Sequence, residues 1–203
     1  MWTNSKDLRM LAQDHLLESA ETIRGVASTC IDPISAAAME IIRTFQTGGK
    51  VLLCGNGGSA ADCQHMATEF VSRLSKDFDR PGLPAIALTT DTSFLTAFTN
   101  DCGYEYVFAR QVEVFGKPGD LLIGISTSGT SLNVIRALDA ARKGNMRTIF
   151  LTSTINPHEG QSDIVIAVPA TNTQCIQEAH LAIEHAICGW VEQYLFSKIA
   201  GKI

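Results

Sequence analysis

Two short segments carry residue types that could do chemistry. The first is Gly55-Asn56-Gly57-Gly58-Ser59, directly after an apolar run and directly before a helical pattern. Glycines let a ligand approach the backbone closely, and the unpaired N–H groups at a helix N-terminus favour an anion such as phosphate. The segment is not a P-loop, since no Gly-Lys-Ser/Thr follows, and it lacks the third glycine of a dinucleotide fingerprint. The second segment is Ser126-Thr127-Ser128-Gly129-Thr130-Ser131, again between an apolar run and a helical pattern. The hydroxyls of Ser126, Thr127, Ser128 and Ser131 could surround a phosphate together with backbone amides, without a cation. Alone, either segment could be an ordinary turn or helix cap. Two of them after strands of one sheet are more specific, because open α/β sheets bind ligands at the carboxyl ends of their strands.

A third group of candidates sits on helical patterns. His65 and Glu69 are four residues apart and share one face, which suits a metal pair or an acid/base pair. Further on, Gln177, His180 and Glu184 share a face by three- and four-residue steps, with His185 next to them. A lone helical histidine is usually solvated or structural. Three of the chain's five histidines lie near these polar sites, which raises the functional reading.

The elements that must position these residues follow from apolar periodicity. Residues 6–27 carry Leu8, Leu11, Ala12, His15, Leu16, Ser19 and Ile23 along one helical face. A second helix begins with Asp32 as N-cap and Pro33 at its first position, and ends at Gly48 and Gly49. Short apolar runs at 50–54, 85–88, 121–125, 148–151 and 164–168 read as buried strands. Helical patterns at 59–74, 104–114 and 131–143 alternate with them, so the sheet is expected to be parallel. The last helix, 173–199, carries the apolar stripe Ile176, Ala179, Ile183, Ile187, Val191 and Leu195, which suits a subunit interface. The expected class is α/β, a three-layer, doubly wound, parallel five-stranded sheet with two N-terminal helices and a long C-terminal helix.

Composition sets outer limits. The 203 residues are 45% hydrophobic and 18% charged, enough apolar material for one buried sheet and one domain, 1–203. Helices within 1–48 are expected to serve oligomerisation and 49–203 to form the binding core. A net charge of -5 argues against nucleic acid as a partner. No apolar run reaches the roughly 20 residues of a membrane helix, and the N-terminal residues alternate charge with apolar side chains, so a cytoplasmic protein is expected. The six cysteines form no CxxC pair and read as reduced.

The run Gly55 to Asp62, followed by Gln64-His65 and Glu69, resembles the phosphoheptose isomerases of the sugar isomerase (SIS) family, which make heptose 7-phosphate from sedoheptulose 7-phosphate. Arg80 to Ala85, Asn100-Asp101, Gly119-Asp120, Ser126 to Ser131 and Ile176-Gln177-Glu178 fall in that family's order and spacing. The likeness covers about residues 45–195 and implies a flavodoxin-like SIS fold, a homotetramer and the first step toward ADP-heptose and lipopolysaccharide core. It implies a zinc ion held by His65, Glu69, Gln177 and His185, with Glu69 as base and His185 as acid. It further implies substrate contacts from Asn56, Gly57, Gly58, Ser59, Arg73, Asn100, Asp101, Ser126, Thr127, Ser128, Ser131 and Gln177.

The resemblance selects His185 where the helical face selects His180. Gln177 and His185 are separated by about 12 Å along a helix axis, so a helix break or ligands from two subunits is expected. The segment 152–159 lacks the glycine pair often found there, a departure that bears on substrate range. SIS folds also serve as non-catalytic sugar-phosphate regulators and as a replication-initiator-binding protein; Glu69 together with His185 speaks for the enzyme.

Overall fold

The computed structural model describes residues 5–76, 79–155, 160 and 162–197. Helices α1 (Ser5–Thr29) and α2 (Ile31–Gln46) precede the first strand. Then follow β1 (Val51–Gly55), α3 (Gly58–Val71), β2 (Ala85–Ala87), α4 (Thr92–Cys102), a 3-10 turn (Tyr104–Tyr106) and α5 (Val107–Phe115). The chain continues through β3 (Leu121–Ile125), α6 (Leu132–Lys143), β4 (Arg147–Ser153), β5 (Ile164–Val168) and α7 (Thr173–Phe196). All five strands pair in parallel in the order β2-β1-β3-β4-β5.

Strand alternation sorts the core into two layers. Val51, Leu53, Leu121, Ile123 and Ile125 pack under α1, α2, α3 and α7, while Leu52, Cys54 and Leu122 pack under α5 and α6. Every residue of β1 and β3 is buried, as befits central strands covered on both faces. Each fully buried aliphatic side chain there contributes roughly 1.5–3 kcal/mol. The register pairs Gly55 with Ile125, so the next residues, Asn56 and Ser126, leave the sheet side by side. From β1 the chain crosses to one side of the sheet and from β3 to the other, which makes this pair of strand ends the topological switch point.

Three expectations need correction. α2 starts at Ile31 after Cys30, so Asp32 and Pro33 lie inside its first turn and Asp32 is not the cap. The apolar stripe of α7 does not face another subunit, because Ile176, Ala179, Ile183, Ile187 and Val191 are at most 3% exposed within this chain's own core. Helix α1 carries a run of uncovered apolar side chains instead, with Leu8, Met10, Leu11, Leu16 and Leu17 47–69% exposed. Helix α4 had no expected counterpart; it buries no residue fully but rests Phe94, Leu95 and Phe98 against the core. All six cysteines are free, with only Cys102 exposed. Among the described residues no single helix is long and apolar enough to cross a membrane.

Candidate active site

The two glycine- and serine-rich loops meet at the switch point and are tied together by asparagines. Asn56 Nδ2 donates to Asn133 Oδ1 at 2.9 Å and Asn133 Nδ2 donates back to Asn56 Oδ1 at 2.8 Å. Tyr104 adds its hydroxyl to Asn56 Oδ1 at 2.9 Å. In the serine loop, Ser126 Oγ lies 3.0 Å from Ser131 Oγ and 3.4 Å from Ser128 Oγ. Gly129 turns the loop with φ 71, and Thr127 accepts from Ser153 Oγ through its carbonyl at 2.8 Å. The N-cap residues Gly57 and Ser131 make no side-chain cap bond, which leaves N–H groups of the first turns of α3 and α6 toward the loops, although that of Val134 donates to Asn133 Oδ1 at 3.0 Å. Hydroxyls and helix amides thus gather where a phosphate would be bound.

The acid/base candidates converge from α3 and α7 of a single chain. His65 Nε2 lies 2.8 Å from His185 Nε2, and 3.6 Å from Glu69 Oε1. The two rings are within hydrogen-bond distance, one as donor and the other as acceptor. His65 is half-buried and His185 exposed, while the Glu69 side chain is 15% exposed. His180 points the other way: fully buried, it donates through Nε2 to the Thr152 carbonyl at 2.9 Å. Burial holds the His180 ring neutral by pushing its pKa down to about 4. The structure therefore sets His185, and not His180, beside His65. It does so without a helix break, since α7 is continuous.

Gln177 lies further along α7, against Gly58 and Asp62, and lines a cleft of about 580 Å³ with Asp62, His15, Gln174, Glu178 and Leu181. Behind it, burial and the nearby Asp62 push the Glu184 carboxyl up to about 9, so that residue is a neutral acid at pH 7. Arg80 clamps the two helices. Its guanidinium donates to the carbonyls of Glu69 at 2.7 Å and Phe70 at 2.9 Å, and to Glu192 Oε1 of α7 at 2.6 Å. The spacing between Glu69 and His185 is thereby set by a buried ion pair.

Other expected contacts lie apart. Arg73 is exposed in the segment after α3, and Asn100 and Asp101 are exposed at the end of α4, bonded to each other at 2.9 Å. Ser59 is buried in the first turn of α3, and Gly57 takes φ 56 at its N-cap. Of the altered segment, residues 156–159 lie outside the described residues. Sequence reasoning missed Asp62, Arg80, Tyr104 and Asn133 as parts of the site. Asp62 and Arg80 fall in the motifs quoted above, but nothing in one sequence signals that Tyr104 and Asn133 meet at Asn56.

Comparison with known proteins decides the family. Residues 15–153 match the SIS domain family. A phosphoheptose isomerase of Roseiflexus sp. is 52% identical over 189 residues, covering 91% of this chain and 93% of the relative. The chain belongs to the phosphoheptose isomerase family. A solved phosphoheptose isomerase from Neisseria gonorrhoeae superimposes with a TM-score of 0.84 at 39% identity, covering 92% of this chain and 99% of that one. The sugar isomerase domain of an RpiR transcription factor from Sphaerobacter thermophilus, at TM-score 0.64 and 17% identity over 94% and 93% of the two chains, shares the fold alone.

Family membership agrees with the donor set described above. Two imidazole nitrogens and a carboxylate oxygen are ligands that zinc accepts. Among the described residues, no group of three or more His, Cys, Asp or Glu closes tightly enough to hold a metal by itself. The residues fit a zinc ion in donor type.

Proposed function

We propose that the chain is an aldose–ketose isomerase that converts D-sedoheptulose 7-phosphate to D-glycero-D-manno-heptose 7-phosphate. The observation that carries this reading is the meeting of Glu69, His65 and His185 beside a phosphate-type loop pair. The serine loop, with Ser126, Thr127, Ser128 and Ser131, holds the phosphate, and Asn56, Gly57, Gly58, Ser59, Arg73, Asn100 and Asp101 are the further substrate contacts. Glu69 removes a proton from the carbon beside the carbonyl, an enediol forms, and His185 delivers a proton to the neighbouring oxygen or carbon. His65, Glu69, Gln177 and His185 would hold zinc, whose chemistry when bound is to polarise the substrate carbonyl.

At the coarser level the chain is one unit, 1–203, working as a homotetramer in the cytoplasm, and the heptose phosphate supplies ADP-heptose and lipopolysaccharide core. The exposed leucines of α1 support the assembly. A non-catalytic regulator is disfavoured, because a pure binding protein has no use for both Glu69 and His185.

The test is conversion of sedoheptulose 7-phosphate by the purified protein, zinc-loaded and chelated, against Glu69→Gln. Zinc-dependent turnover that falls at least about 1,000-fold in the variant is expected for a lost base. Binding of the sugar phosphate without turnover by intact, zinc-loaded protein would instead identify a regulator.

A further inference from the structure

The Gln177 side chain occupies a seat that depends on a missing atom. A Cβ built on Gly58 would stand 2.1 Å from Gln177 Nε2, 2.3 Å from Oε1 and 2.4 Å from Cδ. The amide therefore lies flat over the Gly58 Cα. Gly58 opens α3 and is not among the glycines with positive φ, so its backbone suits any residue. What glycine supplies here is space. Its neighbour Gly57 is the opposite case, with φ 56 and nothing near its Cβ position.

The next turn of α3 supplies the other side of the seat. Asp62 is 7% exposed, lines the same cleft as Gln177 and keeps a buried Oδ2 that has no hydrogen-bond partner among the described residues. An ionised carboxylate oxygen only accepts, so the end of the amide that suits it is the N–H. An amide is nearly symmetric in shape, and only such a partner decides which end faces which way.

We infer that Gly58 and Asp62 are positioning residues that together seat the Gln177 amide. Gly58 does so by having no side chain and Asp62 by taking the amide N–H, so that the carbonyl oxygen is the end offered to the site's ligand. This rests on the reading of Gln177 as a ligand-contacting residue and adds what holds it there.

The test compares the full chain with Gly58→Ala, Asp62→Asn, Gln177→Ala and the two doubles that contain Gln177→Ala. Melting temperature is read in metal-free buffer, and zinc affinity by competition with a chromophoric chelator. Gly58→Ala is expected to lower the melting temperature alone, and to leave it level or raise it once Gln177 is alanine, since alanine is the better helix former. Asp62→Asn keeps the shape but can donate, turning the amide round. Each single variant is expected to weaken zinc binding about 10- to 100-fold, with no further loss when added to Gln177→Ala. An equal melting shift from Gly58→Ala in both backgrounds overturns the seat. An equal loss of zinc affinity from Asp62→Asn with and without Gln177 overturns the role of Asp62. Coupled melts with zinc affinity unmoved in every variant keep the Gly58 seat, overturn the offered oxygen and remove Gln177 from the ligands assigned above.

Discussion

Ser126 is the most buried hydroxyl of its loop, 4% exposed, and touches both Ser128 and Ser131. A hydrogen bond to a charged group contributes roughly 1.5–3 kcal/mol, so Ser126→Ala is expected to raise KM for the sugar phosphate about 10- to 100-fold with little change in kcat. Steady-state kinetics check this, and an unchanged KM would remove Ser126 from the phosphate site. Asn133 serves Asn56 through two bonds. Asn133→Ala is expected to destabilise by about 1 kcal/mol and to raise KM, since Asn56 then loses its orientation; urea melts and kinetics read the two effects. The choice between His180 and His185 also belongs at this scale. Both residue types were visible in the chain, but which one reaches His65 depends on how α3 crosses α7.

The elements hold the site through buried polar contacts. Arg80 and Glu192 are 1% and 2% exposed as side chains, and Glu192 also accepts from the Ser75 N–H at 2.9 Å. Glu192→Gln leaves the guanidinium without its counter-charge, so a loss of about 3–5 kcal/mol is expected in urea denaturation. His180 pins α7 to β4 and brings a pH dependence with a definite sign. The unfolded chain takes up its proton near pH 6.5, while the folded ring resists until about pH 4. Stability is therefore lost as pH falls from 6.5 toward 4, by about 2 kcal/mol at pH 5. In His180→Gln that acid slope should flatten; urea melts at pH 7 and pH 5 that fall equally in variant and wild type would count against a neutral buried ring.

At the scale of the molecule, α1 gathers several exposed leucines on one helix. Leu16 and Leu17 are 69% and 60% exposed, unusual for a helix whose neighbours Thr22 and Val26 are buried. Leu16→Glu with Leu17→Glu is expected to shift the protein from the tetramer proposed above to smaller species in light scattering, with the helical circular dichroism retained. Retention of the full assembly would mean that α1 is not the interface.

The strands, the doubly wound class and both ligand loops were legible in the chain, because continuous apolar runs bounded by glycine have few other uses. Residue chemistry at His65 and Glu69 was equally plain, since four residues along a helix always share a face. The sequence by itself could not assign the apolar stripe of α7, which covers this chain's own sheet, and α4 escaped notice because its core-facing side is only three residues, Phe94, Leu95 and Phe98. Nor could it predict that Asn133 reaches Asn56, that Arg80 links α3 to α7, or that the Gln177 amide rests on Gly58. Local periodicity determines which face of an element is apolar. Only the packing of one element on another decides which polar atoms end within hydrogen-bond distance, and that is set by crossing angles and sheet order across more than a hundred residues of chain, as between His65 and His185.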